Sequence, residues 1–144
     1  MKIRVLLVDD EEPFVEALAE RLRARGLDAT TAYSGDDALA RLNENDFDVV
    51  ILDMVMPGKD GIQTLNEIKQ IKPLVEVVLL TGFATLDTAV ASLQRGAFYY
   101  LMKPADMSDL LRTIINAYQR KAEQEERIRQ AEVKRLTVML TGEV

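Results

Sequence analysis

The chain has 144 residues, enough for one domain with its own core, and its 48% hydrophobic and 29% charged content is globular rather than disordered. The net charge of −6 argues against broad electrostatic attraction to nucleic acid or to an anionic membrane. Cysteine and histidine are both absent, which excludes disulfides, thiolate chemistry and imidazole as base or metal ligand. Any chemistry must therefore use carboxylate, hydroxyl, amine or a hard cation.

Residues 3–8, "IRVLLV", predict a short buried strand. The apolar run from Val5 to Val8 is too short for a signal-peptide core, and acidic residues follow at once. No segment reaches membrane-spanning length, so a soluble, cytoplasmic protein is expected. A helix is predicted from about Glu12, with Phe14, Leu18 and Leu22 facing inward and Gly26 ending it. A second strand spans 27–32. Ser34 then reads as an N-cap, with Asp37 standing in for the usual Glu of a capping box, before a helix whose inward stripe is Ala38, Leu39 and Leu42. "DVVIL" (48–52) is the third strand. Gly61 to Ile71 predicts a helix burying Ile62, Leu65 and Ile68, ended by Pro73. A strand at 75–80 leads to a helix capped by Thr85, carrying Ala89, Val90 and Leu93 and stopped at Gly96. "FYYLM" (98–102) is the fifth strand, and a last helix starts near Asp106 with Leu110, Leu111, Ile114, Ile115 and Tyr118 as its stripe.

Strand and helix alternate throughout, and consecutive parallel strands need helical crossovers. The expected architecture is α/β: a five-stranded parallel, doubly wound sheet of the flavodoxin-like kind, strand order 2-1-3-4-5, with helices on both faces. Residues 1–120 form the domain. Residues 121–144 form a charged helical tail or linker that extends the last helix, with Glu123–Arg127 and Glu125–Arg129 as i,i+4 ion pairs. The tail's apolar positions keep no heptad spacing, which weakens a coiled-coil reading.

The strand ends carry the chemistry. The first ends at Asp9-Asp10, the third at Asp53, the fourth at Thr81 and the fifth at Lys103-Pro104. In a parallel sheet these ends share one edge, where such folds bind ligands. Clustered carboxylates repel, and a divalent cation with all-oxygen ligands, Mg²⁺, resolves the repulsion. A strand-end aspartate can act as nucleophile toward phosphorus, with the cation and Lys103 neutralising the phosphoryl oxygens and Thr81 donating to one of them. Each element has a plainer alternative. Asp9 to Glu12 serve equally as first-turn acids of a helix, Asp53 as a loop starter, and Thr81-Gly82 as a turn.

In order, the segments "LLVDDE", "VILDMVMPGKDG", "LLTGFAT" and "GAFYYLMKP" resemble the receiver domain of two-component response regulators, over about residues 2–118. The stretch from Thr81 to Pro104 is most similar to receivers of the sigma-54-dependent activator branch. The resemblance implies that Asp53 is the phosphoacceptor, taking its phosphoryl group from the phosphohistidine of a partner sensor histidine kinase. It implies Asp10 and Asp53 as direct Mg²⁺ ligands, Asp9 through water, and the backbone carbonyl of Val55 as a further ligand. It implies Lys103 as the phosphoryl-binding amine, a cis bond to Pro104, and Thr81 with Tyr100 as a switch pair. Their movement would alter the face made by the fourth helix, fifth strand and fifth helix. The chain would then be a phosphoacceptor rather than an enzyme, with at most slow self-catalysed phosphorylation and dephosphorylation.

Val55 and Phe83, each two residues beyond a site residue, are apolar where the family controls the attacking water, so slow self-dephosphorylation is expected. Tyr99 is assigned no role. A homodimer through the fourth- and fifth-helix face, and an effector domain downstream or in trans, stay open; direct nucleic-acid binding by this chain is not expected.

Competing readings are weaker. A haloacid-dehalogenase-like phosphatase needs a second Asp two residues after the nucleophile, where Val55 stands. A nucleotide-binding module would carry G-x-x-x-x-G-K-[ST] or G-x-G-x-x-G, and neither occurs. A receiver-like scaffold that works without phosphorylation is separated from the main reading only by a phosphorylation test.

Overall fold

Apolar side chains alternate along the central strands, and that alternation creates two cores. In the computed structural model, which describes residues 2–82 and 85–144, β1 (Arg4–Val8), β3 (Val49–Leu52) and β4 (Glu76–Thr81) are buried along almost their whole length. Leu6, Val8, Val50, Leu52, Val77 and Leu79 face one side, and Val5, Leu7, Val49, Ile51, Val78 and Leu80 the other. Both faces must then be covered, and only helical crossovers do so in a parallel sheet. α2 (Gly35–Glu44) and α3 (Gly61–Ile71) close the first side through Ala38, Leu42, Leu65 and Ile68. α1 (Glu12–Ala24) and α5 (Met107–Thr141) close the second through Val15, Leu18, Leu22, Leu110 and Ile114. β2 (Asp28–Ala32) and β5 (Tyr99–Met102) are the edges of a sheet ordered β2-β1-β3-β4-β5, the expected topology, with every pairing parallel. Among the described residues no helix is long and apolar enough to cross a membrane.

Helix starts follow their capping residues. Ser34, Asp60, Thr85 and Asp106 each accept a backbone N–H from the first turn of the following helix. The reciprocal half of the box expected at Ser34 differs. The Asp37 carboxylate accepts from the Tyr33 N–H at 3.2 Å, one residue further back, because a shorter acid stands where Glu is usual.

Three expectations about burial fail. Phe14 is 36% exposed and leaves the inward stripe of α1 to Val15, Leu18, Ala19 and Leu22. On α4 (Leu86–Gln94), Val90 and Leu93 are exposed while Ser92 is fully buried, its hydroxyl 3.8 Å from the Met54 sulfur. A small residue lets this short helix lie close to the sheet, so its apolar residues face outward. Ile115 of α5 is likewise exposed. The tail pairing also differs: Glu125 reaches back to Lys121, Arg129 pairs with Glu126 and Arg135 with Glu132, and no Glu123–Arg127 pair forms among the described residues. α5 continues unbroken to Thr141, where Gly142 adopts a positive φ, and from Glu125 onward every residue is exposed.

At the amino edge of the sheet, α5 is tied down by charge. Asp48, which precedes β3, is buried and accepts from the Arg4 backbone N–H at 2.9 Å, the Arg4 guanidinium at 2.9 Å and the Lys121 ammonium at 3.2 Å. Burial pushes the Asp48 carboxyl up, but the hydrogen bonds from Arg4 and Lys121 outweigh it and hold it below the usual carboxylate range. Asp48→Ala leaves Lys121 buried with half its partners gone and is expected to cost about 3 kcal/mol at neutral pH in a urea melt. Since the folded value lies below the unfolded one, that deficit is fully present above about pH 4 and shrinks as the pH falls through the folded value.

Candidate functional site

The sheet register brings the acids together. Val8 pairs with Leu52, so the next residues, Asp9 and Asp53, leave their strands side by side. The Asp53 N–H donates to the Val8 carbonyl at 3.0 Å and the Asp9 N–H to the Ala32 carbonyl at 3.1 Å, carrying the sheet's bonding one residue past the strands. Thr81 pairs with Met102, and the Lys103 N–H donates to the Thr81 carbonyl at 2.9 Å. All four strand ends named by the sequence therefore meet at one edge.

Carboxylate oxygens of Asp9, Asp10 and Asp53 lie within 4.8 Å of one another, with Asp9 and Asp53 buried and Asp10 exposed. The Lys103 ammonium reaches Asp9 at 2.6 Å, Glu11 at 3.4 Å and Asp53 at 3.9 Å. Burial drives the Asp53 carboxyl above its ordinary range and the Asp9 charge adds to this, against smaller opposing effects of Lys103, the Val55 N–H and Thr81. For Lys103, burial works against the charged form, but the bond to Asp9 and the nearby Asp53, Asp9 and Glu11 charges prevail and raise it. Among the described residues, three of the four carboxylates here, those of Asp9, Glu11 and Asp53, pair with one ammonium, leaving negative charge uncompensated. An all-oxygen donor set of that charge fits a small hard cation such as Mg²⁺, which favours carboxylates over nitrogen or sulfur ligands.

The remaining residues lie on β4 and β5 or just beyond β3 and β5. Thr81 is fully buried at the end of β4. The Val55 N–H donates to Asp53 at 3.4 Å while its side chain is half exposed. The Lys103–Pro104 bond is cis. Tyr100 packs against the α2/α3 core, and its hydroxyl is 3.4 Å from the Thr88 hydroxyl. Tyr99 is exposed. Phe83 lies outside the described residues. The plainer reading of the acidic run holds in part: Glu12 is an acid in the first turn of α1, but Glu11 occupies the N-cap without a side-chain cap bond among the described residues, and the Asp9 carboxylate accepts the Glu11 N–H.

Sequence reasoning missed several residues around the site. Glu11 is a third acid on Lys103, and the Phe14 ring centroid lies 4.4 Å from the same ammonium. Lys59 bridges Asp36 of α2 and Glu67 of α3, pinning the loop after Asp53. Gly61 is required by close approach, because a Cβ there would sit 2.5 Å from Met54 Cα and 2.8 Å from the Asp53 carbonyl oxygen. The "PGKDG" run carried the loop signal for the last two; nothing in the sequence distinguished Phe14 from an ordinary core residue.

A doubly wound sheet that gathers acids and an amine, rather than a glycine-rich phosphate cradle, at its carboxyl edge defines the receiver class of domain. The chain belongs to the response regulator receiver domain family, whose model matches residues 5–115. It is 42% identical over 116 residues to the transcriptional regulatory protein ZraR of Salmonella typhimurium, covering 81% of this chain and 26% of that protein. It is 37% identical over 139 residues to the DNA-binding transcriptional regulator NtrC of the same organism, covering 96% of this chain and 29% of the relative. The chain thus spans between a quarter and a third of the length of these curated relatives. Among solved structures, a response regulator receiver domain protein from Clostridium thermocellum superposes with a TM-score of 0.80 at 39% identity, covering 85% of this chain and 98% of that one.

Neutralising Asp53 should relieve the crowding of like charges. In Mg²⁺-free buffer the thermal midpoint of Asp53→Asn is expected to exceed that of wild type by a few degrees, the scale of ~1 kcal/mol in a domain of this size. The rise in midpoint that Mg²⁺ gives wild type should shrink in the variant.

Proposed function

We propose that Asp53 accepts a phosphoryl group from the phosphohistidine of a sensor histidine kinase, and that the chain is the phosphorylation-controlled receiver of a two-component regulator. The observation that carries this is the placement of the Lys103 ammonium 3.9 Å from the Asp53 carboxylate beside two further acids. In the transfer, an Asp53 oxygen forms a bond to phosphorus as the bond from phosphorus to the donor nitrogen breaks, and that electron pair leaves with the donor imidazole. Asp10, Asp53 and the Val55 carbonyl would hold Mg²⁺ directly, with Asp9 acting through water. When bound, the ion neutralises charge on the phosphoryl oxygens and on the acids themselves. Lys103 exchanges part of its bonding to Asp9 for a phosphoryl oxygen, and the Thr81 hydroxyl donates to another.

That new bond to Thr81 would favour a state in which Thr81 shifts toward the site and Tyr100 follows, changing the α4/β5/α5 face. Leu86, Val90 and Leu93 of α4 and Tyr99 and Met102 of β5 are exposed there, which supports its use in partner binding or homodimerisation. Residues 1–120 would act as the receiver and 121–144 as a helical connection toward an effector domain, downstream or in trans. The resemblance to the sigma-54-dependent activator branch makes transcription the output, with the receiver itself cytoplasmic and making no direct contact with nucleic acid.

Intact mass after treatment with a small phosphodonor and Mg²⁺ tests this: wild type gains one phosphoryl group and Asp53→Ala gains none. Labelling of neither protein would favour the phosphorylation-independent scaffold. Lys103→Met should slow the transfer on the order of 100-fold, as expected for removing a charged donor to the transferring group. For hydrolysis of the phosphorylated Asp53, in which water forms a bond to phosphorus as the bond to the Asp53 oxygen breaks and phosphate leaves, the apolar Val55 side chain cannot orient the water, so Val55→Gln should shorten the phosphoryl lifetime; an unchanged decay rate would remove that explanation.

A further inference from the structure

We propose that Phe14 is a positioning residue for Lys103, its ring confining the ammonium to the mouth of the Asp53 site. For the transfer reaction this rests on the reading of Asp53 as phosphoacceptor; for the contact itself it does not. Phe14 falls on the apolar spacing of α1, yet its side chain is more than one-third exposed, and Val15, Leu18, Ala19 and Leu22 supply the helix's buried face. Core packing therefore does not account for an aromatic residue at this position. The ring instead lies with its centroid 4.4 Å from the Lys103 ammonium, within cation–π range. It also borders a small cavity shared with Asp9 and Asp53.

Lys103 has a mobile four-carbon stem and three donors, and its head has competing acceptors in Asp9 at 2.6 Å, Glu11 at 3.4 Å and Asp53 at 3.9 Å. A ring face attracts a cation without demanding a single direction. It can hold the ammonium close while letting it pass from Asp9 to a new oxygen on Asp53. It also keeps water from one flank of the ammonium, which strengthens each remaining charge interaction. A leucine at this position would preserve bulk and helix preference but lose the π face.

The test compares Phe14→Leu and Phe14→Tyr with wild type by two readouts. In proton–carbon NMR of the Mg²⁺-free protein, with the Lys103 resonances assigned through Lys103→Arg, the Lys103 methylene protons next to the ammonium should be shifted upfield by the ring. That shift should disappear in Phe14→Leu and persist in Phe14→Tyr. In phosphorylation by a small donor at saturating Mg²⁺, Phe14→Leu should be about two- to fivefold slower, the scale of a partly exposed cation–π contact, and Phe14→Tyr should restore the rate. Mg²⁺ affinity measured by calorimetry should be the same in all three. The inference is overturned by an absent ring-current shift in wild type, by equal rates for Leu and Phe, or by a Tyr variant as slow as Leu. A loss of Mg²⁺ affinity that accounts for the slower rate would also overturn it, since the ring would then act on the acids. A wild type that takes up no phosphoryl group refutes the assignment of Asp53, whereas the NMR shift decides the contact between Phe14 and Lys103 separately.

Discussion

The repulsion among Asp9, Asp10 and Asp53 is the constraint on which the rest of this protein turns. Carboxylates whose oxygens lie within 4.8 Å of one another separate unless something rigid prevents it. Here the rigid element is the sheet. Asp9 and Asp53 are each anchored by a backbone bond that prolongs the strand pairing, so these two acids cannot relax apart without breaking the sheet's register. The same rigidity brings in Lys103, whose backbone is bonded to Thr81 on the neighbouring strand.

The two edges of the sheet use charge in opposite ways. At the amino edge, buried Asp48 is matched by Arg4 and Lys121, and buried Glu76 by Lys69 and Arg120. Those acids are neutralised within the chain and serve to seat α5. At the carboxyl edge, the acids outnumber the single ammonium among the described residues, and the deficit calls for a cation from outside. One edge is consequently charge-balanced within the chain and the other is not, although both are built from the same residue types.

Helix α5 runs beside both edges. Its first turns pack on the sheet through Leu110 and Ile114, its middle is held at the amino edge by Lys121 and Arg120, and its far end stands free of the domain. Together with the outward apolar residues of α4 and β5, this places most of the exposed large apolar side chains among the described residues on α4, β5 and α5. The acidic cluster and the exposed apolar residues are thus linked by paired strands, the one that ends at Thr81 and its neighbour bearing Tyr100.

The sequence by itself determined the order of strands and helices, most of the caps, and the residue types at the strand ends, because periodicity, turn chemistry and charge are local properties. Asp9, Asp10, Asp53, Thr81 and Lys103 were readable for that reason: each follows an apolar run whose end is visible in the sequence. The tertiary structure alone decided what depends on distances between segments far apart in the chain. Phe14 has the same helical spacing as a core residue, and only the reach of the Lys103 side chain, from just past β5, brings an ammonium over its ring. Val90 and Leu93 have the spacing of a buried stripe, and only the close seating of Ser92 turns them outward. Glu125 has suitable partners in both directions along its helix, and only the burial of Lys121 against Asp48 selects the one behind it. Spacing fixes which side chains share a face; it does not fix what that face meets.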